Sequence, residues 1–198
     1  MRLDRAWIES RIPHHGSMCL LDEVIGWDAE RITCTSSSHR SADNPLRARG
    51  RLGIACGIEY AAQAMAVHGA LIAALEAGRG VAGSLEAERA VAAAAARGSP
   101  AAESSLSGSP AAESSAPGSP AAESPLPVSA AVGLLAGVRG VQFHVSRLDD
   151  VKGDLICDAV RVAGDPRTAL YEFELRSGTT LLLLGRATVV LDATGRLP

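Results

Sequence analysis

One short stretch constrains the fold of this chain most. Residues Gly57–Gly69 read GIEYAAQAMAVHG, a run of small residues that carries two polar side chains, Glu59 and Gln63. Because these are four residues apart, they share one face of a helix. The alanines keep that helix slim enough to be wrapped closely by other structure. A carboxylate is costly to bury on such a helix unless it is paired or used, so Glu59 is a candidate catalytic residue, with a solvated surface position as the alternative.

Composition argues against several classes of function. The chain of 198 residues has a net charge of −3, which does not fit the basic surface of a nucleic-acid-binding protein. The four cysteines are widely spaced, without a C-x-x-C pair, and neither zinc-finger nor H-E-x-x-H spacing occurs. There is also no G-x-G-x-x-G after a predicted strand and no P-loop. We therefore expect no metal and no cofactor.

The amino-terminal ten residues are charged and lack the apolar core of a signal peptide. The strongly apolar runs, such as Leu181–Leu184, are too short to cross a bilayer. We therefore expect a cytoplasmic protein that does not enter a membrane.

Low-complexity sequence interrupts the chain. Residues 98–127 consist of three tandem ten-residue units that each begin Gly-Ser-Pro-Ala-Ala-Glu-Ser. Such units cannot bury enough apolar surface to offset the entropy lost on ordering. We predict one domain formed by 1–79 and 130–198, interrupted by a low-complexity insertion at 80–129 in which the repeats 98–127 are disordered and the alanine-rich segment Leu85–Arg97 is a candidate helix that frays. Deleting 98–127 should leave folding intact, and a loss of soluble protein would contradict this.

Outside the insertion, the order of predicted elements indicates an α+β domain. Turn signals and apolar patterning separate the elements. They are a short helix over 4–12, strands at 18–27 and 32–37, an irregular stretch 39–51, a central helix from 57 that runs to about 76 and ends at Gly78, and strands at 138–148, 153–162, 169–176 and 180–191. This order predicts a curled antiparallel sheet wrapped around one long helix.

Four segments carry a resemblance to a known family. They are IPHHGSMCLLDEV at Ile12–Val24, Asp43–Leu46 followed by the helix Gly57–Gly69, GVRGVQFHV at Gly137–Val145, and VKGDL at Val151–Leu155. Together they resemble the 3-hydroxyacyl-ACP dehydratases, which have the hot-dog fold, and particularly the dehydratase-like proteins encoded with aryl-polyene pigment pathways. The resemblance implies a hydro-lyase in fatty-acid or aryl-polyene type biosynthesis, with Glu59 as acid and base.

The chain departs from this family at the second catalytic position. Family members carry a histidine 14 residues before the helix acid, and counting back from Glu59 leads to Pro45. The remaining candidates for a base are His39, in the loop before the helix, and His14 or His15 at the entrance turn. For each of them a structural or solvated role is the more common one. Whether the chain is active alone therefore stays open.

The start of the helix is the predicted binding region. Unpaired N–H groups near Gly57 would suit a thioester oxygen, and glycine would let an acyl chain approach the backbone. Asn44 and Gln63 are further candidate substrate-binding residues, although Gln63 is also expected to hydrogen-bond the loop backbone and fix Glu59. We expect Glu59 to face a narrow apolar channel lined by the alanines.

The resemblance also implies partners and leaves alternatives. The substrate would be carried by an acyl carrier protein, and the chain would form a homodimer or a heterodimer with another hot-dog subunit. Four arginines could form a positive rim for the carrier, or could be ordinary surface residues: Arg47, Arg49, Arg51 and Arg139. The alternatives are an acyl-thioesterase that uses Glu59 alone and a non-catalytic partner subunit.

Overall fold

A computed structural model describes residues 3–96, 132–165 and 167–192. Contacts divide the chain into a unit of residues 1–75 and 129–198 and a unit of residues 76–128. The ten-residue repeats lie outside the described residues. The predicted domain boundaries therefore stay a prediction.

Six strands and two α-helices form the described structure. The helices are α1 (Arg5–Glu9) and α2 (Gly57–Ala96), and short 3₁₀ turns occupy Gly16–Met18, Ser38–Arg40 and Ile54–Cys56. The strands are β1 (Glu23–Trp27), β2 (Arg31–Ser36), β3 (Val132–Phe143), β4 (Leu155–Gly164), β5 (Thr168–Ser177) and β6 (Thr180–Asp192). All neighbours are antiparallel, in the order β1-β2-β4-β5-β6-β3. The predicted α+β hot-dog architecture is confirmed.

The helix packs against the sheet because both present closely fitting apolar rows. On β4 the alternate residues Leu155, Cys157 and Ala159 are buried, as the two-residue period of a strand requires. From α2, Ala61 and Ala64 belong to the same core cluster and are fully buried. Small side chains let the helix backbone lie close to the sheet. By length and mean hydropathy, 1.3, Ile54–Gly78 could also span a membrane, but half of it is buried inside this fold.

The central helix does not end where the sequence predicted. Helical backbone continues past Gly78 to Ala96. The sequence over 85–96 is dominated by alanine and glutamate, which are strong helix formers, and a single glycine costs only about 1 kcal/mol inside a helix. A glycine without a following proline was therefore too weak a stop signal.

Two predicted strands have different limits. Residues 18–22 precede β1 as a turn and loop. The N–H of Leu20 donates to Gln63, and its carbonyl accepts from the hydroxyl groups of Ser36 and Ser38. Side chains, rather than a neighbouring strand, therefore bind the backbone of Leu20. Strand β3 begins earlier than predicted and ends at Phe143. The chain then pairs with 52–54 instead, through hydrogen bonds from Ile54 and Leu148.

Candidate active site

Glu59 lies in the first turn of α2, where its carboxylate is partly enclosed. Its Oε1 accepts a hydrogen bond from Nε2 of Gln63 at 3.1 Å. Nε2 of His14 lies 3.3 Å from the same oxygen. The side chains of Glu59 and His14 keep 35% and 26% of their exposure, so solvent or a ligand can reach the pair.

Gln63 ties this carboxylate to the entrance loop. The residue is fully buried, its Nε2 donates to the carbonyl of Met18 at 2.9 Å, and its Oε1 accepts from the N–H of Leu20 at 2.8 Å. An amide has two N–H donors, and those of Gln63 are both engaged, by Met18 and Glu59. The loop contacts are those expected from the sequence. The role of Gln63 in substrate binding stays a prediction. Neither N–H of its amide is left free to bind a substrate.

The entrance loop brings His14 to the helix. Ile12, Cys19 and Leu20 anchor the loop in the core, and Gly16 turns it with a φ of 57°, a conformation that favours glycine. Nδ1 of His14 is enclosed and has no hydrogen-bond partner in the described part of the chain. The loop therefore presents the other ring nitrogen, Nε2, to Glu59.

His39 occupies a different environment. The residue is fully buried, and its Nε2 lies 3.2 Å from the carbonyl of Val151. Burial lowers the pKa of His39 by disfavouring the imidazolium, despite the opposing contact with Val151. The histidine in contact with Glu59 is thus His14, and His39 joins two loops. The sequence could not rank these residues, because 45 residues separate His14 from Glu59 and only the fold brings them together.

Asn44 helps to build the loop before the helix. Its Nδ2 donates to the Tyr60 hydroxyl at 2.9 Å and to the Ser38 carbonyl at 3.0 Å, and its Oδ1 accepts from the N–H of Leu46 at 3.0 Å. Ser38 Oγ is a further partner of the Tyr60 hydroxyl, at 3.0 Å. Asn44 is 5% exposed, and both of its donors are used inside the protein. Its predicted contact with substrate stays untested.

Gly57 serves packing between helix and sheet. A Cβ at this position would lie 2.3 Å from Cδ2 of Leu183 and 2.9 Å from Cδ2 of Leu175. The N–H of Gly57 donates to the carbonyl of Ile54, in the 3₁₀ turn that precedes the helix. Leucines therefore fill the space beside Gly57, and the turn engages its own N–H. The predicted binding of a thioester at the start of the helix stays a prediction.

Arg47 is not available as part of a positive rim. Its side chain is 15% exposed and lies 3.3 Å from Asp149, and it also donates to the carbonyls of Ser41, Gly50 and His39. Hydrogen bonds from Arg147 lower the pKa of Asp149 more than burial raises it, so this pKa lies well below its usual range. Arg47 thus holds the loop before α2 in place.

The described cavities do not include the expected channel beside Glu59. A groove of about 940 Å³ lies on the face of the sheet lined by charged strand residues, among them Arg139, Glu172 and Arg186, and Glu59 is not part of its lining. Ala61 and Ala64 face the core. Within the described residues there is also no group of three His, Cys, Asp or Glu side chains that could hold a metal ion. A single chain therefore leaves Glu59 open on one side.

Comparisons with known proteins give a family model that matches part of the chain and a solved structure of similar fold. Residues 6–103 match the family model described as ApeP-like, the ApeP dehydratases. A comparison with curated proteins gives no match. A solved neighbour is the dehydratase heterocomplex ApeI:P from Xenorhabdus doucetiae, 20% identical, with a TM-score of 0.56 over 94% of this chain and 91% of that chain. Another is a mutant of the thioesterase PA1618 from Pseudomonas aeruginosa, 11% identical, with a TM-score of 0.43 over 86% of this chain and 80% of that chain.

The first of these structures shows the fold, and the family model covers the entrance loop, the loop before α2 and the helix that carries Glu59. The chain is therefore a dehydratase-like protein of the hot-dog fold, and its residues 6–103 carry the pattern of the ApeP-like family.

Proposed function

We propose that this protein is a subunit of a 3-hydroxyacyl-ACP dehydratase in fatty-acid or aryl-polyene type biosynthesis, with Glu59 as its acid and base. The observation that supports it is a carboxylate in the first turn of the central helix, with one oxygen hydrogen-bonded by Gln63 and 3.3 Å from Nε2 of His14, and with 35% of the side chain exposed. A carboxylate that served only the fold would be either solvated or fully paired.

The chemistry needs one proton to move from carbon to oxygen. Glu59 as carboxylate takes the proton beside the thioester carbonyl, and the electron pair left on carbon forms the double bond as the hydroxyl group leaves. The same carboxyl returns its proton to the departing oxygen, so that water is released and Glu59 is again ionised. One group can perform both transfers, which is compatible with the missing family histidine.

A second subunit completes the proposed site. The N–H of Gly57 is engaged by Ile54, so this N–H is not the donor for the thioester oxygen. Strand β3 lies at the edge of the sheet and exposes Leu134, Val138 and Phe143. Exposed apolar edges are normally covered, and a second hot-dog chain would cover β3. We propose that the same chain also encloses Glu59. The solved neighbour is itself a dehydratase heterocomplex, which favours a heterodimer over a homodimer.

The test is a product analysis with crotonyl-ACP, first with the full chain alone and then after mixing with a hot-dog dehydratase homologue. Reversible hydration to 3-hydroxybutyryl-ACP by either preparation is the expected result. Release of free thiol would show that the protein hydrolyses the thioester, and the proposed dehydratase activity would give way to that of a thioesterase. If the activity of the mixture survives Glu59→Gln in this chain, the chain is a non-catalytic partner.

A further inference from the structure

Two groups converge on one oxygen of Glu59. Gln63 Nε2 lies 3.1 Å from Oε1, and His14 Nε2 lies 3.3 Å from the same atom. Oε2 accepts no hydrogen bond from any residue that the structure describes. The two oxygens of this carboxylate are therefore not equivalent: one is held by the protein and the other is open.

The surroundings of His14 decide which ring nitrogen carries the proton. Nε2 faces a carboxylate oxygen, and two lone pairs in that position would repel each other. Nδ1 is enclosed without a partner in the described chain, so a proton there would be a buried donor without an acceptor, which is unfavourable. Both facts favour, for the neutral imidazole, the tautomer with its proton on Nε2.

We infer that His14 is a positioning residue for Glu59: its Nε2–H, together with Gln63, holds Oε1 and leaves Oε2 as the oxygen that takes and returns the substrate proton. The role in turnover rests on the proposed dehydratase function, whereas the tautomer and the contact do not. His14 does not itself remove the proton, because the nitrogen that faces the site already carries one and the other is enclosed. In the free chain Nε2 of His14 and Oε1 of Glu59 are 3.3 Å apart without the alignment of a hydrogen bond, and such contacts commonly tighten when substrate binds.

The tautomer can be measured without activity. The full chain contains five histidines, and long-range ¹H–¹⁵N spectra of ¹⁵N-labelled histidine distinguish the two neutral tautomers and the imidazolium. His14→Gln identifies the His14 signals. The expected result is that the neutral form of the ring carries its proton on Nε2. A neutral form with its proton on Nδ1 would overturn the inference even if the protein proves to be a dehydratase.

Kinetics separate a positioning residue from a base. His14→Ala should lower kcat of crotonyl-ACP hydration by about 10- to 100-fold with little change in KM, since a hydrogen bond to a charged group is lost. His14→Gln keeps an N–H donor and should recover most of this loss. His15→Gln, at the exposed neighbouring position, is the matched control and should behave as wild type.

Two kinetic results would refute the role: a His14→Gln variant as inactive as Glu59→Gln, which would make His14 the base, or an unchanged His14→Ala variant. Denaturation curves of each variant exclude loss of folding as the cause. If the wild-type chain has no activity alone or with a homologue, the proposed function fails, and the tautomer measurement still decides whether His14 holds Glu59.

Discussion

Two faces of the first turns of α2 differ in how completely they are closed. Gly57, Ala61 and Ala64 lie on the face that meets the sheet, and each is buried. Glu59 and Gln63 lie on the face that meets the entrance loop, where Gln63 is fully bonded but Glu59 has one open oxygen and 35% exposure. The same helix thus combines a sealed packing face with an open polar one.

The difference teaches how a site can be distinguished from a structural polar cluster. Further along α2, His68 is also polar and fully buried, but both ring nitrogens have partners, the Tyr171 hydroxyl at 3.0 Å and the Asp28 carbonyl at 2.9 Å. Buried polar groups are normally satisfied in this way. Glu59 differs from His68 because one of its oxygens accepts no hydrogen bond from the described residues, and an available oxygen is what a reacting carboxylate needs.

The largest effect on stability is expected on the sealed face. Gly57→Ala would place a Cβ against Leu183 and Leu175, and overpacking of this kind costs about 1–3 kcal/mol. Gly78→Ala in the same helix meets no atom within 4 Å and should stabilise by up to about 1 kcal/mol. Urea denaturation of both variants tests this. Equal stabilisation by the two substitutions would show that the sheet does not approach the helix at Gly57.

A smaller loss is expected from the loop that flanks the open face. Tyr60→Phe removes a buried hydroxyl that accepts from Asn44 and contacts Ser38, so we expect destabilisation of about 1 kcal/mol. Since the ring is retained, the position of Glu59 and the kcat should change little. Denaturation and the crotonyl-ACP assay measure the two quantities, and a large fall in kcat would mean that the hydroxyl belongs to the site.

The smallest effect is a dependence of stability on pH from the closed clusters. Burial lowers the pKa of both His39 and His68, so the unfolded chain binds protons more readily than the folded one near the ordinary pKa of about 6.5. The contribution of the two neutral histidines to the free energy of unfolding is complete above that pH. It is lost as the pH falls through the pKa values that these residues have in the folded protein. The free energy of unfolding should decrease between about pH 7 and pH 5. An increase over this range would contradict the buried neutral state of these residues.

Much of the fold follows from local pattern, whereas the site depends on contacts distant in sequence. The β5–β6 hairpin with Gly178 at its turn was predicted closely because turn chemistry and alternation coincide there. Glu59 and Gln63 were found from their four-residue spacing. The neighbour of Glu59 was named only as one of three candidate histidines, because His14 reaches Glu59 through a loop whose path is set by Gln63 and by buried anchors.

Gly57 shows a second limit of sequence reasoning. A glycine at the start of a helix suggested close approach of a ligand, but the atoms that approach are those of Leu183, far along the chain on β6. Glycine indicates that something comes near the backbone and does not indicate what. Likewise, Asn44 and Arg47 looked like binding residues by type, and the fold uses their donors to hold its own loops.

The central claim is that the partly exposed carboxylate of Glu59 serves catalysis and contributes little to the stability of the fold. The most direct measurement compares Glu59→Gln with wild type for both denaturation and crotonyl-ACP hydration, in the assembly in which the wild-type chain is active. The account predicts a free energy of unfolding within about 0.5 kcal/mol of wild type and a loss of kcat of at least about 100-fold. A folded Glu59→Gln variant that turns over at the wild-type rate would contradict it.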